Sequence, residues 1–373
     1  MKTRYFEYFI GPQHPGVTGN MSYHLWARGD EIVKMEPSVG YLHRGFEKLM
    51  EQREWIKNVP MVPRICVPEP DVNEILYAMG VEELAGITPP ERAQYIRVLV
   101  LEMARMAAYL FYFGGVAGAL GLYTIPQWTI GDRDYILDRF EELTGGRIYH
   151  IYIQPGGVRR DIPEGFRERV LKLMDYLERR LKDYDRLMFY NAVVEKRTKG
   201  MGVIEKEYAL QMGVTGPNLR ASGYPADVRK DDPYLVYDRL EFDVPVTGDG
   251  DIYSRMLQRR LEFEESIKIV RQVLESMPEG PIMVKLPHPL EWKVPQGDVY
   301  VKVESSKGEY GYYIVSDGGV KPYRIHVRGP SMPHCFQAAK EKIVGMRIAD
   351  VPVMIFSLDI CPPDIERLSL IHI

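Results

Sequence analysis

The longest apolar stretch of the sequence, residues 97–123 (RVLVLEMARMAAYLFYFGGVAGALGLY), sets the strongest limit on the fold. Two charged residues, Glu102 and Arg105, interrupt it and would be costly inside a bilayer, so we do not expect it to cross a membrane. A helix that is apolar on most sides must be enclosed by other elements of the same protein. With 373 residues the chain has enough material to enclose it, which predicts a large helical core.

Apolar residues at helical spacing recur along the rest of the chain. Residues 87–99 (ITPPERAQYIRVL) begin with Thr88 as the expected N-cap and carry prolines in the first turn. Further helices are predicted at residues 42–58, 132–144, 163–190, 250–277 and 333–345. The Gly- and Pro-rich segment 213–248 is expected to be an ordered loop.

Short, partly alternating runs at both ends of the chain are typical of strands. They cover residues 5–10, 21–29 and 30–39 near the N-terminus, and residues 299–306, 311–319 and 323–329 in the C-terminal part. The sequence therefore predicts an α+β fold, a central helical bundle flanked by β-sheet from the N- and C-terminal parts. We expect an N-terminal sheet region (1–40), a helical bundle with ordered loops (41–279) and a β-rich C-terminal region (280–373), together forming one integrated domain.

Composition narrows the classes of function. The formal net charge of −4 gives no reason to expect nucleic acid as a partner. Three cysteines cannot build a disulfide framework and suit a reducing cytoplasm, and the first residues lack the apolar core of a signal peptide. Asn and Gln are sparse while Lys, Arg and Glu are plentiful, a bias that resembles hyperthermophile proteins.

Two incomplete Cys-x-x-Cys turns lie at opposite ends of the chain. RICVPEPD has Cys66 followed by Glu69, and SLDICPPD has Cys361 followed by Asp364. If the turns meet, they offer two thiolates and two carboxylates, a mixed set that suits a borderline metal such as zinc and is poor for nickel–iron chemistry. Alternatively, both cysteines are only small buried side chains.

Eight further motifs, in order, give the chain a family resemblance over nearly its whole length. They are GPQHPG (11–16), GYLHRGFEKLMEQR (40–53), VPRIC (62–66), GGVRRDIPE (156–164), GVTGPNLRASG (213–223), DVRKDDPY (227–234), KGEYGYYIVSDGG (307–319) and SLD (357–359). Together they resemble the large subunit shared by NADH–quinone oxidoreductases (their D-type subunit) and membrane-bound nickel–iron hydrogenases. The resemblance implies the same helix bundle with flanking sheet.

Departures from that family pattern change the expected chemistry. In the hydrogenases both Cys-x-x-Cys turns are complete and hold nickel and iron, whereas Glu69 and Asp364 replace two of those cysteines here, so no metal is expected. In the quinone-reducing relatives a histidine and a tyrosine contact the quinone headgroup. Thr18 and Val67 stand at those positions, and a site that loses such groups loses much of its affinity for the headgroup.

The pattern is similar to that of the large subunit of archaeal membrane-bound sulfane sulfur reductases, a related branch. This resemblance implies a complex that takes electrons from reduced ferredoxin, cleaves the S–S bond of polysulfide and drives cation translocation. No cofactor is expected on this chain, because [4Fe-4S] clusters need cysteine patterns that it lacks and therefore belong to partner subunits. The implied partners are a B-like iron–sulfur small subunit, C-like and other peripheral subunits, and membrane antiporter-like subunits, with the chain peripheral at the cytoplasmic face of the membrane.

Five residues are the candidate catalytic groups. Cys66 and Cys361 either form persulfides by thiolate exchange or only line the pocket. Glu47 matches a proton-relaying glutamate of the hydrogenases, and otherwise is an exposed helix charge. His14 either donates a proton to departing sulfide or is a hydrogen-bonded structural histidine. Lys307, where the relatives usually have arginine, either binds a small anion or is a solvated turn lysine.

Four more residues are expected to face a partner's cluster. Arg64 matches an arginine that lies against the terminal cluster, where a cation raises the reduction potential. Arg147 lies in RIYHIY, in which Tyr149 takes the place of a histidine that responds to cluster reduction in the relatives, and His150 follows it. The alternative for both arginines is ordinary salt bridging at an interface.

Three other functions stay open at this stage. The chain is alternatively a subunit that reduces a quinone-type acceptor with altered headgroup contacts. It is otherwise a non-catalytic scaffold that couples the cluster subunit to the membrane arm. A structural disulfide between Cys66 and Cys361 is the third alternative, since hyperthermophile intracellular proteins use disulfides.

Overall fold

The computed structural model describes residues 5–17, 19–288 and 290–367. In chain order the helices are α1 (Phe46–Gln52), α2 (Trp55–Asn58), α3 (Asp71–Ala85), α4 (Glu91–Ala119), α5 (Thr124–Thr144), α6 (Phe166–Tyr184), α7 (Ala192–Thr198), α8 (Lys206–Gln211), α9 (Gly216–Ala221), α10 (Val228–Asp231), α11 (Ile252–Ser276), α12 (Ser331–Pro333), α13 (Lys340–Lys342), α14 (Val351–Ser357) and α15 (Pro362–Ile365). The strands are β1 (Phe6–Ile10), β2 (Ser22–Arg28), β3 (Glu31–Ser38), β4 (Ile153–Gln154), β5 (Gly157–Val158), β6 (Gly297–Glu304), β7 (Glu309–Ser316) and β8 (Arg324–Arg328).

Helix α4 is the centre of the bundle, as its composition predicts. It packs against α5, α11 and α14, and nearly all of its side chains are buried. Its two interrupting charges are tolerated because they pair: Arg105 Nε lies 3.3 Å from Glu102 Oε2 within the same helix. In the described part of the chain no helix has the length and apolarity to span a membrane.

The helix ends differ from the predictions at two places. Thr88 is not the N-cap, because α4 begins at Glu91 after Pro90 and has no side-chain cap. The predicted helix 42–58 breaks at Arg53, whose backbone is extended. The break allows the buried Trp55 to donate its Nε1–H to the carbonyl of Gly319, at 3.1 Å.

Other predicted helices shift in length. Helix α5 starts eight residues before the predicted segment 132–144, and α6 ends early and continues as a π-helical turn, Asp185–Phe189. The predicted loop 213–248 contains the short helices α9 and α10. The predicted helix 333–345 is also interrupted, since a π-helical segment, His334–Ala339, joins α12 to α13.

Two three-stranded antiparallel sheets flank the bundle, one from each end of the chain. Their orders are β1-β2-β3 and β6-β7-β8, and no strand of the described residues joins one sheet to the other. Helix α3 lies on β6 and β7, where a Cβ on Gly80 would stand 2.6 Å from Ile314 Cδ1. The predicted α+β class, a helical bundle with sheet from both ends, is confirmed.

A buried charged cluster ties the bundle to β6. Its members are Glu102, Arg105, Arg220, Asp227, Arg229, Glu262 and Glu304. The Arg229 guanidinium lies 2.7 Å from Asp227 and 3.1 Å from Glu102. Arg105 donates to the carbonyl of Glu304 at 2.6 Å, immediately before the β6–β7 turn (residues 305–308). Three arginines face four carboxyl groups, of which Glu304 has its pKa raised to about 7 by burial. Because the other charges are paired and all the groups are hydrogen-bonded, the cluster fixes where that turn lies.

Candidate active site

The two incomplete Cys-x-x-Cys turns meet in the structure. Cys66 ends the 3₁₀ turn Val62–Ile65, and Cys361 directly precedes α15. Their Sγ atoms lie 3.6 Å apart, and both side chains are buried free thiols. The hydrogen bond with Cys361, together with burial, raises the pKa of the Cys66 thiol, so Cys66 stays protonated at neutral pH.

Each turn also buries a carboxyl group that a serine holds. Ser306 donates to Glu69 Oε2 from its hydroxyl at 2.6 Å and from its backbone N–H at 2.8 Å. Ser331 donates its hydroxyl to Asp364 Oδ2 at 2.6 Å and accepts the backbone N–H of Cys361 at 2.9 Å. Burial raises the pKa of Glu69 and raises that of Asp364 to about 6.

A buried ion pair stands beside the thiols. Lys307 Nζ lies 2.5 Å from Asp359 Oδ1, and Lys307 is buried in the β6–β7 turn. Burial lowers the pKa of Lys307, but Asp359 and the two sulfurs outweigh it, so the net shift is upward and the ammonium stays charged. Lys307 is therefore not a solvated turn lysine, and a fixed cation faces the sulfurs.

Glu47 is buried near the start of α1, so its interpretation as an exposed helix charge is wrong. Its Oε1 accepts the backbone N–H of Val327 at 2.9 Å, and its Oε2 accepts from Arg324 at 2.8 Å. Arg367 approaches the same carboxylate at 3.5 Å. Glu47 thus links α1, β8 and the C-terminal turn.

Two further predicted site residues, His14 and Val67, lie nearer the surface. His14 is exposed, and its Nδ1 accepts the backbone N–H of Gly16 at 3.0 Å. Its loop reaches the C-terminal turn, since a Cβ on Gly19 would lie 2.8 Å from Pro362 Cγ. Val67, next to Cys66, is 38% exposed, so the thiol pair lies just beneath the surface. Thr18 lies outside the described residues.

Of the four residues predicted to face a cluster, three lie near the cysteine turn and the fourth, Arg147, lies against α5. Arg64 lies over the ring of Tyr149, 5.1 Å from its centroid. His150 is buried, and its Nδ1 lies 2.8 Å from Asp71 Oδ1 at the start of α3. Burial opposes the protonation of His150, but the Asp71 carboxylate outweighs it and raises the pKa.

Arg147 points instead toward α5. Its guanidinium lies 2.5 Å from Asp134, 2.7 Å from Asp138 and 2.5 Å from Glu141. These three acidic partners raise the pKa of this partly exposed arginine. The structure therefore brings Arg64, Tyr149 and His150 close to the cysteine turn and binds Arg147 to a helix.

The sequence analysis did not assign four residues of the site: Ser306, Ser331, Asp359 and Tyr310, whose buried phenol lies near Asp364 and the two cysteines. The sequence could have indicated Ser306 and Asp359 as site residues, because each lies within two positions of a predicted site residue. Tyr310 also lies near one, Lys307, but as a buried strand aromatic it looks like core. Ser331 had no signal, since its partner Asp364 is 33 positions away.

The donor set does not fit a nickel–iron centre. Such a centre uses soft, bridging thiolates, whereas this site has two thiols and two carboxyls already bound by serines. Within the described residues no group of three or more His, Cys, Asp and Glu side chains is arranged to hold a metal ion.

Comparison with known proteins gives concordant matches. Residues 119–367 match the family described as the 49 kDa subunit of respiratory-chain NADH dehydrogenase. The chain is 51% identical over 361 residues to the D subunit of the NADH-quinone oxidoreductase of Thermosipho melanesiensis, covering 96% of this chain and 98% of that protein. It is 39% identical over 362 residues to the D subunit of the F(420)H(2) dehydrogenase of Methanosarcina mazei, covering 96% of each.

A solved structure also matches this chain in its fold. A chain in the membrane-bound sulfane sulfur reductase, described as an archaeal respiratory membrane complex, superposes with a TM-score of 0.95. The two chains are 49% identical, and the match covers 98% of this chain and 100% of the other.

Proposed function

Because the chain belongs to the 49 kDa subunit family of respiratory-chain NADH dehydrogenases, we propose that it is the substrate-site subunit of a ferredoxin-dependent sulfane sulfur reductase. In this function it reduces polysulfide within a membrane-bound oxidoreductase complex, coupled to cation translocation. The observation that carries the proposal is the pair of buried thiols, Cys66 and Cys361, 3.6 Å apart beside the charged Lys307. Soft sulfur groups and a fixed cation suit an anionic chain of sulfur atoms.

The chemistry follows from thiol exchange. A cysteine of the pair attacks a terminal sulfur of polysulfide and gives its proton to the departing sulfur chain, so that one S–S bond breaks, a persulfide forms on the cysteine and the shortened, protonated polysulfide leaves. Two electrons and two protons then cleave the persulfide and give back the cysteine thiol and hydrosulfide. A partner's [4Fe-4S] cluster supplies those electrons, and Lys307 neutralises the anionic substrate and product.

The proposal includes the surroundings of the chain. We place it at the cytoplasmic face of the membrane as a peripheral subunit, next to a B-like iron–sulfur small subunit and C-like peripheral subunits, with antiporter-like subunits in the membrane. The surface around Arg64, Tyr149 and His150 is proposed to face the partner's cluster. The family membership and the likeness to a membrane-bound respiratory complex support this placement.

Acceptor competition tests the proposal. The purified complex is given reduced ferredoxin and offered polysulfide, protons or a quinone analogue, and its nickel content is measured. We expect hydrosulfide release from polysulfide, no hydrogen and no nickel. Stoichiometric nickel with hydrogen evolution would overturn the proposal.

A quinone-type acceptor is the second candidate. The 51% identity to a protein named as the D subunit of an NADH-quinone oxidoreductase favours it. The exposed Val67 counts against it, because valine offers no hydrogen bond to a headgroup carbonyl. Quinol formation without hydrosulfide in the same assay would select this candidate, and turnover of neither acceptor would select a scaffold.

A further inference from the structure

The two Cys-x-x-carboxyl turns are built alike although they share no strand or helix. In each, a serine hydroxyl donates to one carboxyl oxygen at 2.6 Å: Ser306 to Glu69 Oε2 and Ser331 to Asp364 Oδ2. The second oxygen of each carboxyl, Glu69 Oε1 and Asp364 Oδ1, is buried and finds no hydrogen-bond partner among the described residues. Buried polar atoms are rarely left unpaired, so both oxygens need a partner that enters the site.

The serine hydrogen bonds also determine which oxygen of each carboxyl group carries the proton. Glu69 Oε2 already accepts two hydrogen bonds, from the hydroxyl and the backbone N–H of Ser306. A proton on Glu69 therefore resides on the other oxygen, Oε1. Asp364 Oδ2 accepts one hydrogen bond, from the Ser331 hydroxyl, and a proton on Oδ1 keeps that bond in place. In the acid form each group has one O–H that is directed away from its serine and free to donate.

We infer that Glu69 and Asp364 are the two proton donors of the site, each giving a proton from its serine-free oxygen to sulfur held at Cys66 and Cys361. This inference rests on the proposed function. Reduction of a persulfide anion on one cysteine breaks its S–S bond and consumes two electrons, supplied by the partner's cluster, and two protons. One proton goes to the cysteine sulfur and one to the departing hydrosulfide, so one carboxyl from each turn meets the demand.

Burial favours the acid form of both carboxyl groups against the cations nearby. Burial is the main cause of the raised pKa at both, outweighing Arg105 and Lys307 at Glu69. At Asp364 it outweighs Ser331, Arg367 and Lys307, and leaves the pKa at about 6.

Two neutral groups complete the surroundings of Asp364. The phenol of Tyr310 and the thiol of Cys335 are both buried, and burial together with the charge of Asp364 raises the pKa of each, so both stay neutral. The Tyr310 hydroxyl has no partner among the described residues, which suits a donor that holds the substrate while the carboxyls transfer protons. With these groups neutral, the delivery of protons by Asp364 is expected to weaken as pH rises through about 6.

The test separates loading of sulfur from its reduction. Glu69→Gln and Asp364→Asn keep size and the serine hydrogen bond but carry no transferable proton. Exposed to polysulfide without reductant, each variant complex should gain a persulfide on Cys66 or Cys361 to the wild-type extent, measured by mass spectrometry. After reduced ferredoxin is added, hydrosulfide release should be slower by roughly a hundredfold or more, and Asp364→Asn should lose the fall in rate near pH 6.

A buried carboxyl elsewhere provides the matched control. Asp132 on α5 is 3% exposed and accepts from Tyr176 at 2.8 Å, so Asp132→Asn should load and release sulfur at the wild-type rate. Normal persulfide loading shows that the variants are folded. If both site variants discharge the persulfide at more than half the wild-type rate, the inference is wrong. If the wild-type complex itself releases no hydrosulfide, the proposed function fails instead.

Discussion

The Sγ atoms of Cys66 and Cys361 lie 3.6 Å apart, although 295 positions of the sequence separate the two residues. Neither turn fixes this distance locally. The turn of Cys66 precedes α3, and the turn of Cys361 ends the described chain. The pair therefore forms only when both ends of the chain have packed on the same side of the bundle, and any use of the two sulfurs depends on the tertiary fold.

Removing either sulfur should stop turnover. We expect Cys66→Ala and Cys361→Ala each to reduce hydrosulfide release from polysulfide to about 1% of wild type or less, because a covalent step loses its nucleophile or its neighbour. The measurement is ferredoxin-dependent hydrosulfide release by the intact complex. Asp132→Asn, a buried residue of α5 away from the two turns, is the control and should keep most of the rate. Full turnover by both site variants would mean that the sulfurs only line the pocket.

The buried ammonium should determine affinity for the anionic substrate. Lys307→Gln is expected to raise KM for polysulfide by about tenfold or more, since a charged hydrogen bond contributes roughly 1.5–3 kcal/mol. Lys307→Arg restores the charge and should recover part of the loss. Lys302→Gln on β6 is the control, because Lys302 is one-third exposed and pairs with Asp232 at 3.4 Å. An unchanged KM for Lys307→Gln would exclude Lys307 from substrate binding.

The close crossing of Gly216 and Gly308 should be a sensitive point. Both Gly216 (φ +66°) and Gly86 (φ +64°) adopt the left-handed conformation, but a Cβ on Gly216 would lie 2.2 Å from Gly308 Cα and one on Gly86 touches nothing. Gly86→Ala should therefore cost only the conformational strain, about 1–2 kcal/mol. Gly216→Ala should cost roughly 1–3 kcal/mol more through overpacking, and it should also displace the turn that carries Lys307. Thermal unfolding and KM of the two variants measure the difference, and equal effects would contradict it.

Breaking the buried charged cluster should destabilise the bundle. Arg229 is 1% exposed and pairs with Glu102 and Asp227, so Arg229→Ala leaves both carboxylates short of a partner and should cost roughly 3–5 kcal/mol. The matched control is Arg239→Ala, which removes a half-exposed ion pair with Glu91 and should change stability by less than about 1 kcal/mol. Chemical denaturation compares them. Similar losses in both variants would show that burial does not distinguish the pairs.

Stability should decline with pH because of Glu304. Burial is the main cause of its raised pKa; Arg220 opposes the shift, Asp227 adds to it, and the result is about 7. Between about pH 4.5 and 7 the unfolded chain ionises this group while the folded chain keeps it protonated, so the free energy of unfolding falls as pH rises, by about 3 kcal/mol for this group. Glu304→Gln should flatten that decline in thermal unfolding measured from pH 4.5 to 7.5. A parallel decline in the variant would assign the effect to other groups.

Local pattern was sufficient wherever a property depends on nearby residues. The apolar stretch around Glu102 predicted the central helix, alternation predicted the strands of both sheets, and the two cysteine turns marked the site. Two predictions failed for different reasons. Thr88 does not cap α4, because Pro89 and Pro90 follow it and keep the chain extended until Glu91. The helix through Arg53 breaks where Trp55 reaches Gly319, so a tertiary contact overrides local propensity there.

The sequence by itself determined the class of fold, the family and the kinds of side chain that the site contains. Only the tertiary structure decided that Cys66 meets Cys361, that Glu47 is buried, and that Ser306 and Ser331 hold the two carboxyl groups. The physical reason is one of range. Helical and strand spacing act over a few residues, whereas protonation and hydrogen bonding depend on burial and on partners brought from other parts of the chain.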